Sequence, residues 1–192
     1  MFFHVYREPR CVFIRVRKTG STSIVRGLLA QADGLGEKAA TPPAFADAFH
    51  FAFVRNPFAR LYSAYEMFQI YAVATPEEAS LRARLDLNAM MDVVEDERIA
   101  FDQPDYVSKL RLHALPMSHP GYNIARADFV GRFETYVEDY RRLAERLGLA
   151  REVVHLRERK IPFDYREKYD VATRRRAGRL FAADLERFGY DF

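Results

Sequence analysis

The feature that most constrains this chain is a buried strand followed directly by a polar turn and an amphipathic helix. The three elements occupy Arg10 to Leu29, RCVFIRVRKTGSTSIVRGLL. A run of β-branched and bulky apolar residues from Cys11 to Val16 is typical of a strand covered on both faces. The turn from Arg17 to Gly20 ends this strand. Apolar residues at helical spacing follow the hydroxyl residues Ser21 to Ser23, one of which we expect to cap the helix.

The turn is suited to binding an anion such as a phosphate. A helix N-terminus presents unpaired backbone N–H groups and about half a positive charge. Gly20 allows a ligand to approach the backbone closely, and Lys18 adds a full positive charge. The Walker pattern GxxxxGK[ST] begins with glycine, whereas lysine leads the KTGSTS segment here. The sequence therefore disfavours a nucleoside triphosphatase, and an ordinary turn rich in capping residues is the alternative.

A second strand and helix repeat this design over Phe49 to Phe68, FHFAFVRNPFARLYSAYEMF. Two strand-to-helix units indicate a parallel sheet, in which ligands bind at the carboxyl ends of the strands. Both Lys18 and Arg55 fall at such ends. Arg55 is suited to binding a second phosphate, to which Ser63 on the following helix could also donate. The alternatives are a salt bridge for Arg55 and a small residue at a helix crossing for Ser63.

The two stretches together resemble the sulfotransferases that use 3′-phosphoadenosine 5′-phosphosulfate, particularly the carbohydrate O-sulfotransferase branch. In that family a strand–KTGSTS–helix element holds the 5′-phosphosulfate, and an FVR-x-PF-x-RL-x-SAY element holds the 3′-phosphate through its arginine and serine. The resemblance implies that eight residues of this chain bind the donor: Lys18, Thr19, Gly20, Ser21, Thr22, Ser23, Arg55 and Ser63. The segments DFVGRFE from Asp128 to Glu134 and DLERFGYDF from Asp184 to Phe192 also resemble the family.

The resemblance implies an α/β fold. We expect a P-loop-like, three-layer α/β/α arrangement with a short central parallel sheet of about four strands, flanked by helices. A third strand is expected at Ala127 to Arg132, followed by a helix from Glu134 to Leu147. A fourth strand is expected at Glu152 to Leu156 and a last helix from Val171 to Phe188.

The loop after the expected fourth strand carries the charged residues RERK. In the family this region often closes over the 3′-phosphate of the nucleotide, so Arg157 and Lys160 are candidate donor-binding residues. A plain cluster of solvated charges is the alternative.

The resemblance also implies a general base between the two motifs, because several sulfotransferases carry a histidine there. The only histidine in that interval of this chain is His50, which lies at the amino end of its strand and is interpreted as structural. An irregular segment from Phe101 to Asn123 carries His113, the first candidate base, and His119, the second. A histidine bonded within its loop is the alternative for each, and Glu66 is a carboxylate candidate.

Length and composition favour a globular protein with one domain over residues 1–192. Hydrophobic residues make up 49% of the chain, which is enough for a substantial core. The net charge is +3, and 25 of the 30 basic residues are arginine, a bias that suits phosphate and sulfate but also arises from genome composition. No basic run is interleaved with aromatic residues, so nucleic-acid binding has no support.

Cysteine usage and hydropathy lead us to expect a cytoplasmic protein. The lone Cys11 leaves no intramolecular disulfide and no cysteine-based zinc site, and its place in the first strand makes it a core residue. No apolar run approaches the length of about 18 residues that a membrane span needs, and the first strand starts too near Met1 to leave room for a signal peptide. Animal members of the carbohydrate branch carry an anchor and usually disulfides, so the chain resembles a minimal bacterial version.

The expected activity is transfer of a sulfuryl group to a hydroxyl of a carbohydrate or other small acceptor. Such a transfer needs in-line geometry and stabilisation of the leaving phosphate, and no metal is expected. One alternative is a protein that binds adenosine bisphosphate without catalysis; a nucleotide-dependent kinase of related fold has less support. The sequence leaves the acceptor and the oligomeric state open, although the loops Gln31 to Ala48 and Phe101 to Asn123 are expected to shape the acceptor cleft.

Overall fold

The computed structural model describes residues 3–150, 152–153 and 164–192. Contacts within the chain divide it into two compact units. The sheet unit comprises Met1–Arg55 and Met117–Pro162, and the helical unit comprises Asn56–Pro116 and Phe163–Phe192. The single domain expected over residues 1–192 stays a prediction.

In the part of the chain that the structure describes, the sheet unit is built on five strands. They are β1 (Phe3–Glu8), β2 (Cys11–Ile14), β3 (Asp33–Lys38), β4 (Phe49–Val54) and β5 (Phe129–Arg132), in the spatial order β3-β1-β2-β4-β5. Strands β2, β4 and β5 are parallel, which confirms the expected parallel core, whereas β1 runs antiparallel to β2 and β3. The sheet is therefore mixed, and its described part contains three parallel strands where about four were expected. The expected strand from Glu152 to Leu156 lies mostly outside the described residues.

Strands β1 and β3 enlarge the sheet beyond the predicted parallel core. The interval Gln31 to Ala48 was expected to be a loop or a poorly formed strand, and β3 contains Gly34 and Gly36, which have little preference for extended structure. Strand β3 forms because β1 offers it a row of backbone partners, with Phe3 opposite Lys38 and two register shifts along the pair. It occupies one edge of the sheet.

Eight α-helices occur in the described part of the chain. They are α1 (Ser21–Arg26), α2 (Pro57–Gln69), α3 (Pro76–Ala83), α4 (Leu87–Glu95), α5 (Tyr106–Ala114), α6 (Tyr136–Leu147), α7 (Val171–Leu180) and α8 (Ala182–Phe188). Helices α1 and α6 belong to the sheet unit, and the other six belong to the helical unit. None of the helices in the described ranges is both long enough and apolar enough to cross a bilayer.

One face of the sheet is covered by α1 and α6. Residues of β2 and β4 pack with both helices in one buried cluster that includes Cys11, Phe13, Phe51, Phe53, Ile24, Tyr140 and Leu143. The rings of Phe13 and Phe51 stack with their centroids 5.0 Å apart. The prediction that Cys11 is a core residue is confirmed, and burial raises the pKa of its thiol to about 12. This cluster holds the ends of β2 and β4 at fixed positions.

The helical unit is organised around a fully buried arginine on α2. The guanidinium of Arg60 donates to the backbone oxygens of His113, Ala114 and Leu115, which lie at the carboxyl end of α5. These carbonyls have no partner within the helix and carry partial negative charge, so a buried cation is stabilised there. Apolar residues of α2, α4, α5 and α7 surround this contact, including Phe58, Phe68, Met90, Leu110 and Ala177.

Several helix boundaries differ from the expectations. No side chain caps α1, because its N-cap is Gly20, and the expected hydroxyl cap was wrong. His113 lies on helix α5, so the segment Phe101 to Asn123 is only partly irregular. The last expected helix is two helices that meet at Phe181, whose buried ring sits at the break.

Candidate functional site

Three turns meet at one edge of the sheet, the edge formed by the carboxyl ends of its parallel strands. Because β2, β4 and β5 are parallel, the residues that follow Ile14, Val54 and Arg132 emerge at the same edge. The backbone N–H of Phe133 donates to the oxygen of Val54 over 2.8 Å, which joins the ends of β4 and β5. The candidate cations Lys18 and Arg55 both belong to these turns.

Arg55 connects the three turns through its guanidinium. Its Nη1 donates to the backbone oxygen of Lys18 over 3.3 Å, and its guanidinium carbon lies 4.3 Å from the centroid of the Phe133 ring. A guanidinium stacked on an aromatic face gains cation–π energy and loses little of its capacity to donate hydrogen bonds at its edge. The turn after β2 and the turn after β4 are therefore parts of one site.

The turn after β2 has an unusual backbone. Lys18 has φ 67° and Gly20 has φ 81°, so two residues adopt the left-handed conformation on either side of Thr19. Alternation of this kind makes successive backbone N–H groups converge on an anion. The hydroxyl of Thr19 is fully buried and donates to the oxygen of Val16 over 2.9 Å, which stabilises the turn from within.

The start of α1 supplies further donors to the same turn. The backbone N–H groups of Ser23 and Ile24 both donate to the oxygen of Gly20, so those of Ser21 and Thr22 are the donors without an acceptor inside the helix. The side chains of Ser21 and Ser23 are buried, and that of Thr22 is half-buried. The turn and the first residues of α1 thus offer N–H groups beside the charge of Lys18.

A cluster of charged groups lies beside this turn at the same edge of the sheet. Glu37 of β3 contacts Arg15 Nη1 at 2.5 Å, Arg17 Nη2 at 3.4 Å and His4 Nε2 at 3.2 Å. Burial alone would raise the pKa of Glu37, but Arg17 and Arg15 lower it below its usual value. Burial lowers the pKa of His4 to about 4, and Arg15 acts in the same direction. At neutral pH the cluster therefore contains two guanidinium groups, one carboxylate and a neutral imidazole.

Asp139 on α6 fixes the turn that carries Phe133. Its buried carboxylate accepts hydrogen bonds from the backbone N–H of Arg132 and the hydroxyl of Thr135, each over 2.7 Å, and from the guanidinium of Arg142. These bonds hold the link between β5 and α6 in one conformation. The position of the Phe133 ring under Arg55 depends on this link.

The remaining predicted residues are distributed over both units. Ser63 and Glu66 are half-buried on α2 and His113 is half-buried on α5, all in the helical unit. The Nδ1 atom of His113 lies 2.7 Å from the oxygen of Lys109, one turn earlier on the helix. His119 belongs to the sheet unit, and its Nδ1 accepts from the backbone N–H of Gly121 over 3.1 Å.

Arg157 and Lys160, the remaining candidates for the 3′-phosphate, lie outside the described residues. His50 is buried, and its Nδ1 lies 2.6 Å from the oxygen of Ala48 at the start of β4. It is therefore at the edge of the sheet opposite to the candidate site, as its structural interpretation requires.

Two features of the site were not predicted. The ring of Phe133 under Arg55 belongs to a segment that was singled out only by resemblance, without a role for this residue. The charged cluster around Glu37 depends on β1 and β3, since His4 lies opposite Glu37 in their register. The sequence did carry one signal for the cluster. Arg15 and Arg17 are two residues apart just after β2, and this spacing places both side chains on one face of an extended segment.

The family model described as "Sulfotransferase family" matches residues 3–191, which is nearly the entire sequence. The chain belongs to the sulfotransferase family. The resemblance of the KTGSTS and SAY segments to sulfotransferases is thereby confirmed at the level of the family. Searches among curated proteins and among solved structures found no match.

Within residues 3–150, 152–153 and 164–192, no three His, Cys, Asp or Glu side chains are grouped so that they could hold a metal ion. Two acidic groups near the site are engaged by other residues: Glu37 contacts arginines, and Asp139 accepts from the backbone N–H of Arg132.

The close approach of Tyr136 to the turn makes Gly20 a test of the site's packing. A Cβ at Gly20 would lie 2.9 Å from Cε2 of Tyr136, whereas a Cβ at Gly148, which also has positive φ, would meet nothing within 4 Å. Gly148→Ala is expected to cost about 1–2 kcal/mol for the left-handed backbone. Gly20→Ala is expected to cost about 1–3 kcal/mol more, because Tyr136 must move. Urea denaturation measures both, and equal losses would contradict the close packing.

The neutral state of His4 predicts a dependence of stability on pH. The native ring has its pKa lowered to about 4, so the unfolded chain takes up a proton first as the pH falls from 6.5. The free energy of unfolding should therefore decrease by up to about 3 kcal/mol between pH 6.5 and pH 4. Denaturation of the wild type and of His4→Gln over this range isolates the contribution of His4. An identical pH profile for the two proteins would refute the assignment.

Proposed function

We propose that this protein transfers a sulfuryl group from 3′-phosphoadenosine 5′-phosphosulfate to a hydroxyl of a carbohydrate or other small acceptor. Membership of the sulfotransferase family supports the reaction class. The observation that carries the proposal for the donor is the contact between Arg55 and the oxygen of Lys18, because it joins two cationic turns at one edge of the sheet. A doubly phosphorylated nucleotide needs cations of this kind for its separate phosphates.

The turn from Lys18 to Ser23 is proposed to bind the 5′-phosphosulfate. Lys18 supplies the charge, and the backbone N–H groups of Ser21 and Thr22 supply hydrogen bonds. Gly20 allows close approach of the donor to the backbone. The hydroxyl of Thr19 already donates to the backbone oxygen of Val16. We therefore propose that Thr19 binds the donor through its backbone N–H rather than through its side chain.

Arg55 is proposed to bind the 3′-phosphate together with Ser63. The stacking of Arg55 on Phe133 and its bond to Lys18 restrict the orientation of the guanidinium, which lowers the entropy lost on binding. The contributions of Ser63, Arg157 and Lys160 rest on the family resemblance.

The reaction proposed for this site forms one bond and breaks one. The acceptor oxygen bonds to sulfur while the bond between sulfur and the 5′-phosphate oxygen breaks in line with it, and the acceptor proton passes to a base. Lys18 and the N–H groups of the turn stabilise the negative charge that develops on the departing phosphate. The scheme uses no metal ion.

Hydrogen bonding favours His113 over His119 as the base. Nδ1 of His113 faces the carbonyl of Lys109 and must donate to it, so the neutral ring takes up a proton at Nε2. Nδ1 of His119 accepts from Gly121 N–H, so its neutral ring already carries the proton on Nε2. Glu66 stays the carboxylate candidate.

A protein that binds adenosine bisphosphate without catalysis is the second candidate. It is favoured by one observation: the only histidine between the two motifs, His50, is buried at the opposite edge of the sheet. The kinase alternative has no such support, because lysine and glycine are not in the Walker order.

Removing the cations of the two turns should separate catalysis from donor binding. Lys18→Ala is expected to abolish sulfuryl transfer, because the charge on the leaving phosphate loses its partner, while the fold is retained. Arg55→Ala is expected to weaken binding of adenosine 3′,5′-bisphosphate by about ten- to a hundredfold, the value of one charge-assisted hydrogen bond. Titration calorimetry measures binding, and a donor-turnover assay measures transfer. Arg26→Ala, an exposed arginine at the end of α1, is the matched control and should change neither.

Two results would count against this assignment. An active Lys18→Ala enzyme would exclude Lys18 from the transfer step. Bisphosphate binding by the wild type without turnover of the donor, over a broad panel of acceptors, would establish the non-catalytic binder instead.

The two histidines should respond differently to substitution. His113→Ala is expected to lower kcat by about two to four orders of magnitude, the usual contribution of a general base, with little change in donor affinity. It should also remove the acidic limb of the pH–rate profile. His119→Ala is the control and should keep that limb. The reverse pattern would transfer the role to His119, and an unchanged profile in both would favour Glu66.

A further inference from the structure

The helical unit contains a cavity that the donor site does not use. It is an open groove of about 390 Å³ between α2, the start of α4 and the segment that leads into α7. This volume lies within the range of about 300–1,000 Å³ that is usual for small-molecule sites. We call it the tyrosine groove and define it by Tyr62, Tyr65, Asp86, Asn88, Lys168 and Asp170.

Two aromatic rings form one side of the tyrosine groove. Tyr62 and Tyr65 are half-buried on α2, and their ring centroids lie 5.7 Å apart at an interplanar angle of 44°. The described residues provide no hydrogen-bond partner for the Tyr65 hydroxyl. A ring with an apolar face and a polar end suits a ligand that is itself apolar on one face and hydroxylated at its rim, as a pyranose sugar is.

The polar side chains of the groove are held in place by the helices they cap. Asp86 accepts from the backbone N–H of Ala89 over 2.7 Å, and Asp170 accepts from that of Thr173 over 2.7 Å. The amide of Asn88 donates to the hydroxyl of Thr173 over 3.1 Å. Each of these bonds uses one polar atom of the groove residue. The second carboxylate oxygen of Asp86 and the amide oxygen of Asn88 can therefore accept hydrogen bonds from the hydroxyls of a ligand, at little cost in side-chain entropy.

The charge of the groove restricts the kind of sugar. Asp86 and Asp170 contribute two negative charges and Lys168 contributes one positive charge, so the groove carries one net negative charge at neutral pH. The backbone N–H of Thr173 lowers the pKa of Asp170, which is ionised at neutral pH. A uronate or sulfate group would be repelled here, whereas hydroxyls would meet acceptors.

We propose that the tyrosine groove binds an uncharged sugar unit of the acceptor. The identification of this sugar as the acceptor rests on the proposed function. The binding of the sugar rests only on the rings, the acceptors and the charge of the groove. The two can therefore be tested separately.

Binding is tested with a glycan array probed with the full-length protein. The array carries uncharged, uronate-containing and sulfated glycans. Wild-type protein is expected to bind uncharged members and to exclude the anionic ones. Tyr65→Ala should lower this binding by about tenfold, because it removes the stacking face, whereas Tyr65→Phe keeps the ring and most of the binding. Thermal denaturation verifies that both variants are folded.

A charge variant tests the selectivity. The double variant Asp86→Asn/Asp170→Asn changes the net charge of the groove from −1 to +1, and asparagine still caps both helices. It is expected to gain binding to uronate-containing glycans while its binding to adenosine 3′,5′-bisphosphate is unchanged.

Wild-type binding confined to anionic glycans, or no binding to any glycan, would overturn the inference. So would equal glycan binding by Tyr65→Ala and the wild type. If adenosine 3′,5′-bisphosphate still binds in calorimetry, the proposed donor site survives this failure. Loss of bisphosphate binding with intact glycan binding would instead contradict the proposed function, whereas the inference that the groove binds a sugar would stand.

Discussion

The guanidinium of Arg55 is the contact on which the candidate site depends. It bonds to the backbone oxygen of Lys18 and stacks on Phe133, so it touches the turns that follow three parallel strands. The left-handed conformation of Lys18 costs about 1–2 kcal/mol for a residue with a side chain. A charge-assisted hydrogen bond to the Lys18 carbonyl offsets a cost of this size. Arg55, which is placed to bind an anion, thus also stabilises the backbone of Lys18, the other cation of the site.

The surroundings of this contact are rigid for identifiable reasons. Gly20 packs so closely against Tyr136 that no larger residue fits without displacement, and Asp139 holds the turn that carries Phe133. Tyr136 and Asp139 both belong to α6, which also covers the sheet. A single helix therefore supports both the phosphate-binding turn and the aromatic platform under Arg55. Preorganisation of this kind is what electrostatic stabilisation of a leaving group requires.

The two units differ in the charge that they offer to a ligand. In the sheet unit, four cations lie beside the carboxylate of Glu37 at the edge where the turns meet. They are Arg15, Arg17, Lys18 and Arg55. In the helical unit, the tyrosine groove has an excess of one negative charge. A polyanionic donor would be attracted to the edge of the sheet unit and repelled from the groove, whereas an uncharged sugar would not be repelled from the groove.

The sequence by itself determined the local elements and the parallel core. The KTGSTS turn lies between a buried strand and a helix, Pro57 occupies the first position of α2 after the cap Asn56, and Thr75 caps α3. These features depend on residues close together in the chain, for which composition and periodicity carry the information. The order of strand and helix also implied that β2 and β4 are parallel.

Only the tertiary structure decided the features that depend on distant partners. Strand β3 is extended because β1 pairs with it, despite its glycines, and the charged cluster of Glu37 exists only through that pairing. Gly20 rather than a serine precedes α1, and Tyr136, more than a hundred residues away in the sequence, packs against it. The sequence of one segment does not identify its remote partner, so the spacing of Arg15 and Arg17 could indicate a shared face but not the pairing that brings Glu37 to it.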